Sequence, residues 1–237
     1  MHTKSTTEDG GGGERAKDRV GEPGASRDVR EHYAALATAY EGKANKACER
    51  AYADLLTRCL ASAERILELG SGASRLLAQL DAPFKAACDF SEPMLRAKKG
   101  AGLHRIVSDA AFAPFPAACF DGVFCINLLE HVSNPARVIG EARRLLVPGG
   151  RFVAVTPNGD LEKLLGLLER LHLKIPEGPH RFLTFNELAE LAGGAFDVLE
   201  HRRFLAFPAG PRFLVNAAER LLPWGLFQYV VARKRTS

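Results

Sequence analysis

Short apolar runs alternate with segments whose apolar residues recur every three or four positions, from about residue 64 to the end of the chain. The runs predict strands at 65–69, 84–89, 105–108, 122–126, 151–156, 196–201 and 228–232. The helical spacing predicts helices at 74–80, 92–98, 135–146, 161–173 and 185–191. "VPGGR" at 147–151 is a turn signal that stops one helix and opens a strand. Upstream, Tyr33, Leu36, Ala37 and Tyr40 share a helical spacing after Asp28, a suitable N-cap. Gly42 separates that helix from a second one running to about residue 63. Residues 1–27 are polar and glycine-rich and read as a disordered tail.

Strands alternating with helices imply an α/β fold, a mostly parallel sheet covered on both faces. In such doubly wound sheets, ligands sit beyond the carboxyl ends of the strands, where strand order reverses. The chain has 237 residues, enough for one sizeable core and cramped for two. Its division is therefore a tail at 1–27 and one domain at 28–237. That domain has N-terminal helices (28–63), a ligand-binding core (64–158), an acceptor or lid region (159–195) and C-terminal strands (196–237).

Composition changes this picture little. Hydrophobic content of 46% and charged content of 25% are those of a globular protein. A net charge of +4, with no basic stripe carrying interleaved aromatics, gives no footprint for nucleic acid. The five cysteines include no CxxC pair, and Cys88, Cys119 and Cys125 lie in apolar surroundings that suit buried reduced thiols. No run is long and apolar enough for a membrane span, and no signal-peptide core precedes the domain, so a cytoplasmic location is expected.

The chemistry concentrates in "ILELGSGASRLL" at 66–77, where Gly70 and Gly72 form the turn between the first strand and its helix. A dinucleotide fingerprint would place a third glycine where Arg75 stands, and no Walker lysine follows. Asp89 closes the second strand about twenty residues on, where a carboxylate can accept hydrogen bonds from ribose hydroxyls. Ser91 is the better N-cap for the helix that follows.

Five stretches in order, "ILELGSGAS", "CDFSEPML", "SDAAFAPFPAACFDGVF", "LLEHV" and "EARRLLVPGGRFVAVTPN", resemble class I S-adenosylmethionine-dependent methyltransferases. The resemblance implies a Rossmann-like, seven-stranded sheet of order 3-2-1-4-5-7-6 with the last strand antiparallel. It implies S-adenosyl-L-methionine as cofactor. Gly70 and Gly72 match the loop around its methionine half, Ser74 stands where the family has a third glycine, and Glu68 matches the acid that orients the amino end. Asp89 matches the ribose acid, Phe90 and Met94 the adenine neighbours, and Asp109 with Ala110 the pair reading the adenine edge. Asn127 falls where the fourth strand passes the methionine portion, and its backbone carbonyl is the expected contact. Tyr33 and Tyr40 match aromatics that fold over the cofactor, against the plainer reading of helix packing.

Methyl transfer to a hydroxyl benefits from a base, and histidine suits that role near neutral pH. His131 in "LLEHV" is the first choice and His180 in "GPHRFLT" the reserve. "LEHV" also resembles ubiquinone-pathway O-methyltransferases, where a further upstream glutamate joins the Glu-His pair around a divalent metal. Asn127 stands at that upstream position, so no metal is expected. The leucines at 161–173 and the apolar stretch around Trp224 leave two readings open. They are ordinary packed helices, or a lid over a lipophilic small-molecule acceptor or a patch on membrane lipid. A non-catalytic binding protein and a nicotinamide-dependent oxidoreductase are the rival functions.

Overall fold

The computed structural model describes residues 46–162, 181–204 and 225–236. The expected tail at 1–27, Tyr33, Tyr40, His180, Trp224 and nearly all of the helix expected at 161–173 lie outside the described residues.

In chain order the elements are α1 (Lys46–Leu60), β1 (Arg65–Leu69), α2 (Leu76–Gln79), β2 (Phe84–Asp89), α3 (Glu92–Ala97), β3 (Leu103–Val107) and β4 (Phe120–Ile126). There follow α4 (Pro135–Leu145), β5 (Leu146–Pro157), a 3-10 turn (Gly159–Leu161), α5 (Phe185–Ala195), β6 (Asp197–Phe204) and β7 (Phe227–Arg233). The seven strands form one sheet of order β3-β2-β1-β4-β5-β7-β6. Pairs from β3 through β5 are parallel, and β7 runs antiparallel to both β5 and β6. The strand order reverses between β1 and β4, which puts the carboxyl ends of those two strands at the place where such sheets bind ligands.

Strand periodicity sorts the core into two layers. Ile66, Phe124, Val153, Val155 and Tyr229 face a cluster built with α1, α2 and α3. Their neighbours Leu67, Val123, Phe152, Ala154 and Val230 face the cluster built with α4 and α5. Each of the large aliphatic and phenylalanine side chains among them is worth about 1.5–3 kcal/mol of transfer free energy.

Three expectations need correction. The helix after β1 covers only Leu76–Gln79, because Ser74 is drawn into side-chain bonding below it. "VPGGR" does not end one element before the next begins: β5 opens at Leu146, which pairs Phe120 before a register shift brings Arg151 opposite Gly122. Cys119 is only partly buried, its thiol bonded to the Pro116 carbonyl at 3.0 Å, whereas Cys88 and Cys125 are enclosed. Burial pushes the Cys88 thiol up to about 12. Among the described residues no helix is long and apolar enough to cross a membrane.

Candidate functional site

The carboxyl ends of β1, β2 and β3 are tied into one surface by the chain itself. Ser71 N–H donates to the Cys88 carbonyl at 3.0 Å, and Ser108 N–H donates to the Asp89 carbonyl at 3.0 Å. The Asp89 carboxylate receives Gly72 N–H at 2.7 Å on one oxygen and Ser91 N–H at 2.8 Å on the other. A single buried aspartate thus fixes both the glycine loop and the start of α3. Burial pushes its carboxyl above the usual aspartate range, and the two amides and Lys98 pull it back.

Gly70 and Gly72 turn the loop with φ of +63° and +48°. A side chain at Gly70 would be strained by that conformation and would also meet Leu128, whose side chain lies against the loop. Among the described residues, a side chain at Gly72 would meet only Met94, whose Cε lies 3.5 Å from where its Cβ would sit. Met94 is buried and Phe90 partly buried, so the apolar pair expected beside the adenine flanks the loop and Asp89. At the end of β3, Asp109 Oδ1 accepts Ala111 N–H at 2.8 Å in a tight turn that contains the buried Ala110.

Asn127 follows β4 with φ +50°, in the left-handed region that asparagine tolerates better than most residues. Its amide donates to the Val155 carbonyl at 2.8 Å. Its Oδ1 is buried with no hydrogen-bond partner among the described residues, and so is Ser91 Oγ. Ser91 is the N-cap of α3 as expected, yet its hydroxyl makes no cap bond. Buried acceptors left unpaired are costly, which makes these two oxygens natural partners for a bound polar ligand. Together with the ionisable Asp89 and the Gly72 backbone beside it, they fit a nucleoside carrying a polar amino-acid tail.

Glu68, expected beside the amino end of the cofactor, lies beneath the glycine loop. It is 2% exposed, and both oxygens are bonded inside the protein. Ser74 Oγ donates to Oε1 at 2.7 Å and Lys98 Nζ to Oε2 at 2.7 Å. Burial pushes the Glu68 carboxyl up, opposed first by Lys98 and then by Ser74. Sequence reading passed over Lys98 because a lysine at a helix end ordinarily faces water.

After β4 the chain turns through Leu128, whose carbonyl accepts His131 N–H at 3.0 Å. His131 Nε2 lies 4.0 Å from Glu130 Oε1, with both side chains nearly buried. Thr156 Oγ1, at the end of β5, donates to Glu130 Oε2 at 3.0 Å, and Arg181 N–H donates to the Glu130 carbonyl at 2.9 Å. The structure therefore brings His131 to the same sheet edge as Asn127. Thr156 had no signal in sequence beyond its place at a strand end.

Residues 67–154 match the family model described as "Methyltransferase domain". The ubiquinone biosynthesis O-methyltransferase of Methylococcus capsulatus is 38% identical over 97 residues, 40% of this chain and 41% of that protein. The protein of the same name from Thiobacillus denitrificans is 31% identical over 149 residues, 57% of this chain and 64% of the relative. The chain thus spans about two fifths to two thirds of the length of these relatives. Among solved structures, a Thermotoga maritima S-adenosylmethionine-dependent methyltransferase described as a possible histamine N-methyltransferase superposes with a TM-score of 0.67. It is 19% identical, and the match covers 87% of this chain and 100% of that one, a likeness of fold. Residues 67–154 are accordingly similar to a methyltransferase domain, and the sheet around them shares its fold with that S-adenosylmethionine-dependent methyltransferase.

Proposed function

We propose that the protein transfers a methyl group from S-adenosylmethionine to the hydroxyl of a small molecule with an apolar body, with His131 as the base. The observation that carries this reading is the His131–Glu130–Thr156 arrangement on the sheet edge that also holds Asp89, Gly72 and Asn127. When bound, the cofactor supplies a methyl group on a cationic sulfur. Asp89 accepts from the ribose hydroxyls, and Asn127 accepts from the amino end. His131 takes the acceptor's hydroxyl proton on a ring nitrogen as the oxygen becomes nucleophilic. Glu130, anchored by Thr156, favours the imidazolium that results. The relatives named O-methyltransferases support oxygen as the acceptor atom.

Calorimetric titration with S-adenosylhomocysteine, with NADH as control, tests the cofactor. Micromolar binding of the first alone supports the reading; binding of NADH, or of neither, overturns it. Turnover is then measured against phenols of increasing alkyl length. His131→Ala is expected to lower turnover by about 10²-fold with affinity for S-adenosylhomocysteine retained. Undiminished turnover removes His131 from the mechanism, and no turnover on any hydroxyl acceptor favours a binding protein on the same fold.

A further inference from the structure

Beneath the glycine loop lies an ion pair closed off from water. The side chains of Lys98 and Glu68 are 0% and 2% exposed, with Nζ and Oε2 2.7 Å apart. The same ammonium donates to the Ser74 carbonyl at 2.7 Å, and the Ser74 hydroxyl returns to the other oxygen of Glu68 at 2.7 Å. Ser74 Oγ also accepts Leu76 N–H at 3.4 Å, so this ring of bonds reaches the first turn of α2. Lys98 is itself fixed from behind. Its amide caps α3 on Met94 and Leu95, and its carbonyl accepts Arg105 Nη2 at 2.7 Å from β3.

We propose that Lys98 is a positioning residue for the cofactor loop, and that by pairing with Glu68 it withdraws that carboxylate from contact with the cofactor's ammonium. This rests on the reading of the corner as an S-adenosylmethionine site. An ammonium brought by a ligand could reach Glu68 only by displacing Lys98, which would leave a lysine charge buried without its partner. The loop from Gly70 to Ser74 is instead held from below by a neutral pair, and the ligand's amino end is left to the unpaired Asn127 Oδ1 above it.

A double-mutant cycle on the full chain tests this: wild type, Glu68→Gln, Lys98→Met and the double variant, each titrated with S-adenosylhomocysteine and with 5′-methylthioadenosine. The second ligand keeps the nucleoside but has no ammonium or carboxylate. Where the single variants fold, each is expected to weaken both ligands by a common factor of about tenfold or more, because each leaves one buried charge alone. The double variant, with the charges removed together, is expected to recover much of that loss. Its ratio of affinities for the two ligands stays within about threefold of wild type. Should a single variant fail to fold, the ratio in the double variant decides. A fall of that ratio by about tenfold or more shows Glu68 meeting the ammonium directly and overturns the proposal. Strictly additive losses across the cycle overturn it as well. If wild type binds neither ligand, the cofactor reading fails with it, an outcome distinct from a changed ratio in a protein that binds.

Discussion

Asp89 holds the Gly72 and Ser91 amides on its two oxygens while burial raises its carboxyl above the ordinary range. The ionised form is the better acceptor for both amides and for ribose hydroxyls. Affinity for S-adenosylhomocysteine should therefore fall as pH drops through that raised value, where an ordinary aspartate, near 4, is still charged. Asp89→Asn is expected to bind about 10- to 100-fold more weakly at neutral pH, in line with ~1.5–3 kcal/mol for a charged hydrogen bond. The variant's affinity should be flat with pH over that range, and calorimetry across acid to neutral buffers checks both points. A pH-independent wild type would mean that Asp89 does not carry the ribose. At this scale the sequence was informative wherever residue type alone limits the chemistry. Glycine is the residue best suited to the left-handed turns at 70 and 72, and a carboxylate ending β2 is a natural ribose acceptor. It was silent on Lys98, because a lysine's partner is set by which strand and helix are brought together, and nothing in "MLRAKKGA" records that.

Elements were legible where local pattern and packing agree. β1 and β2 fall where their apolar runs place them, since each run ends against glycine or a charged turn. α5 was expected to stop near residue 191, before Gly193 and Gly194, yet it continues to Ala195. Ala192 and the following Phe196 are both buried, and packing of this end against the sheet opposes the roughly 1 kcal/mol that each glycine costs a helix. The start of α5 is fixed by chemistry the sequence does hold, in "TFNE" at 184–187. Thr184 Oγ1 accepts Glu187 N–H at 3.3 Å, and Glu187 accepts Thr184 N–H at 2.8 Å. This capping box also anchors the segment whose Arg181 amide bonds Glu130. Thr184→Ala is expected to cost about 1 kcal/mol. Urea unfolding should show a lower midpoint at unchanged slope, and an unshifted midpoint would mean that packing alone sets this helix start.

Across the whole molecule the two ends of the sheet do different work. The carboxyl edge gathers Asp89, Asn127 and His131, while the amino edge is occupied by structural bonding. There Arg65, opening β1, clamps Asp121 at the start of β4: its amide and Nε donate to Oδ2 at 2.9 and 3.2 Å, and Nη2 to Oδ1 at 2.8 Å. A cavity of about 220 Å³ beside this clamp is lined by Cys59, Leu60, Val147 and Pro148, and lies at the far end of the strands from the candidate site. The clamp joins the two strands at the switch point, so its contribution is to the sheet and not to the ligand. The Arg65 hydrogen bonds hold the Asp121 carboxyl below its ordinary value. A depressed folded-state value means that the stabilisation is present above the unfolded pKa, near 3.9, and is lost as pH falls through the folded one. Asp121→Asn should therefore unfold at a lower temperature than wild type at pH 7, and the gap should close as the buffer is taken below about pH 4. Affinity for S-adenosylhomocysteine should stay within about twofold, because distant sites act additively. A large loss of affinity in this variant would show that the two ends of the sheet are coupled, and would remove the division of labour inferred from the topology.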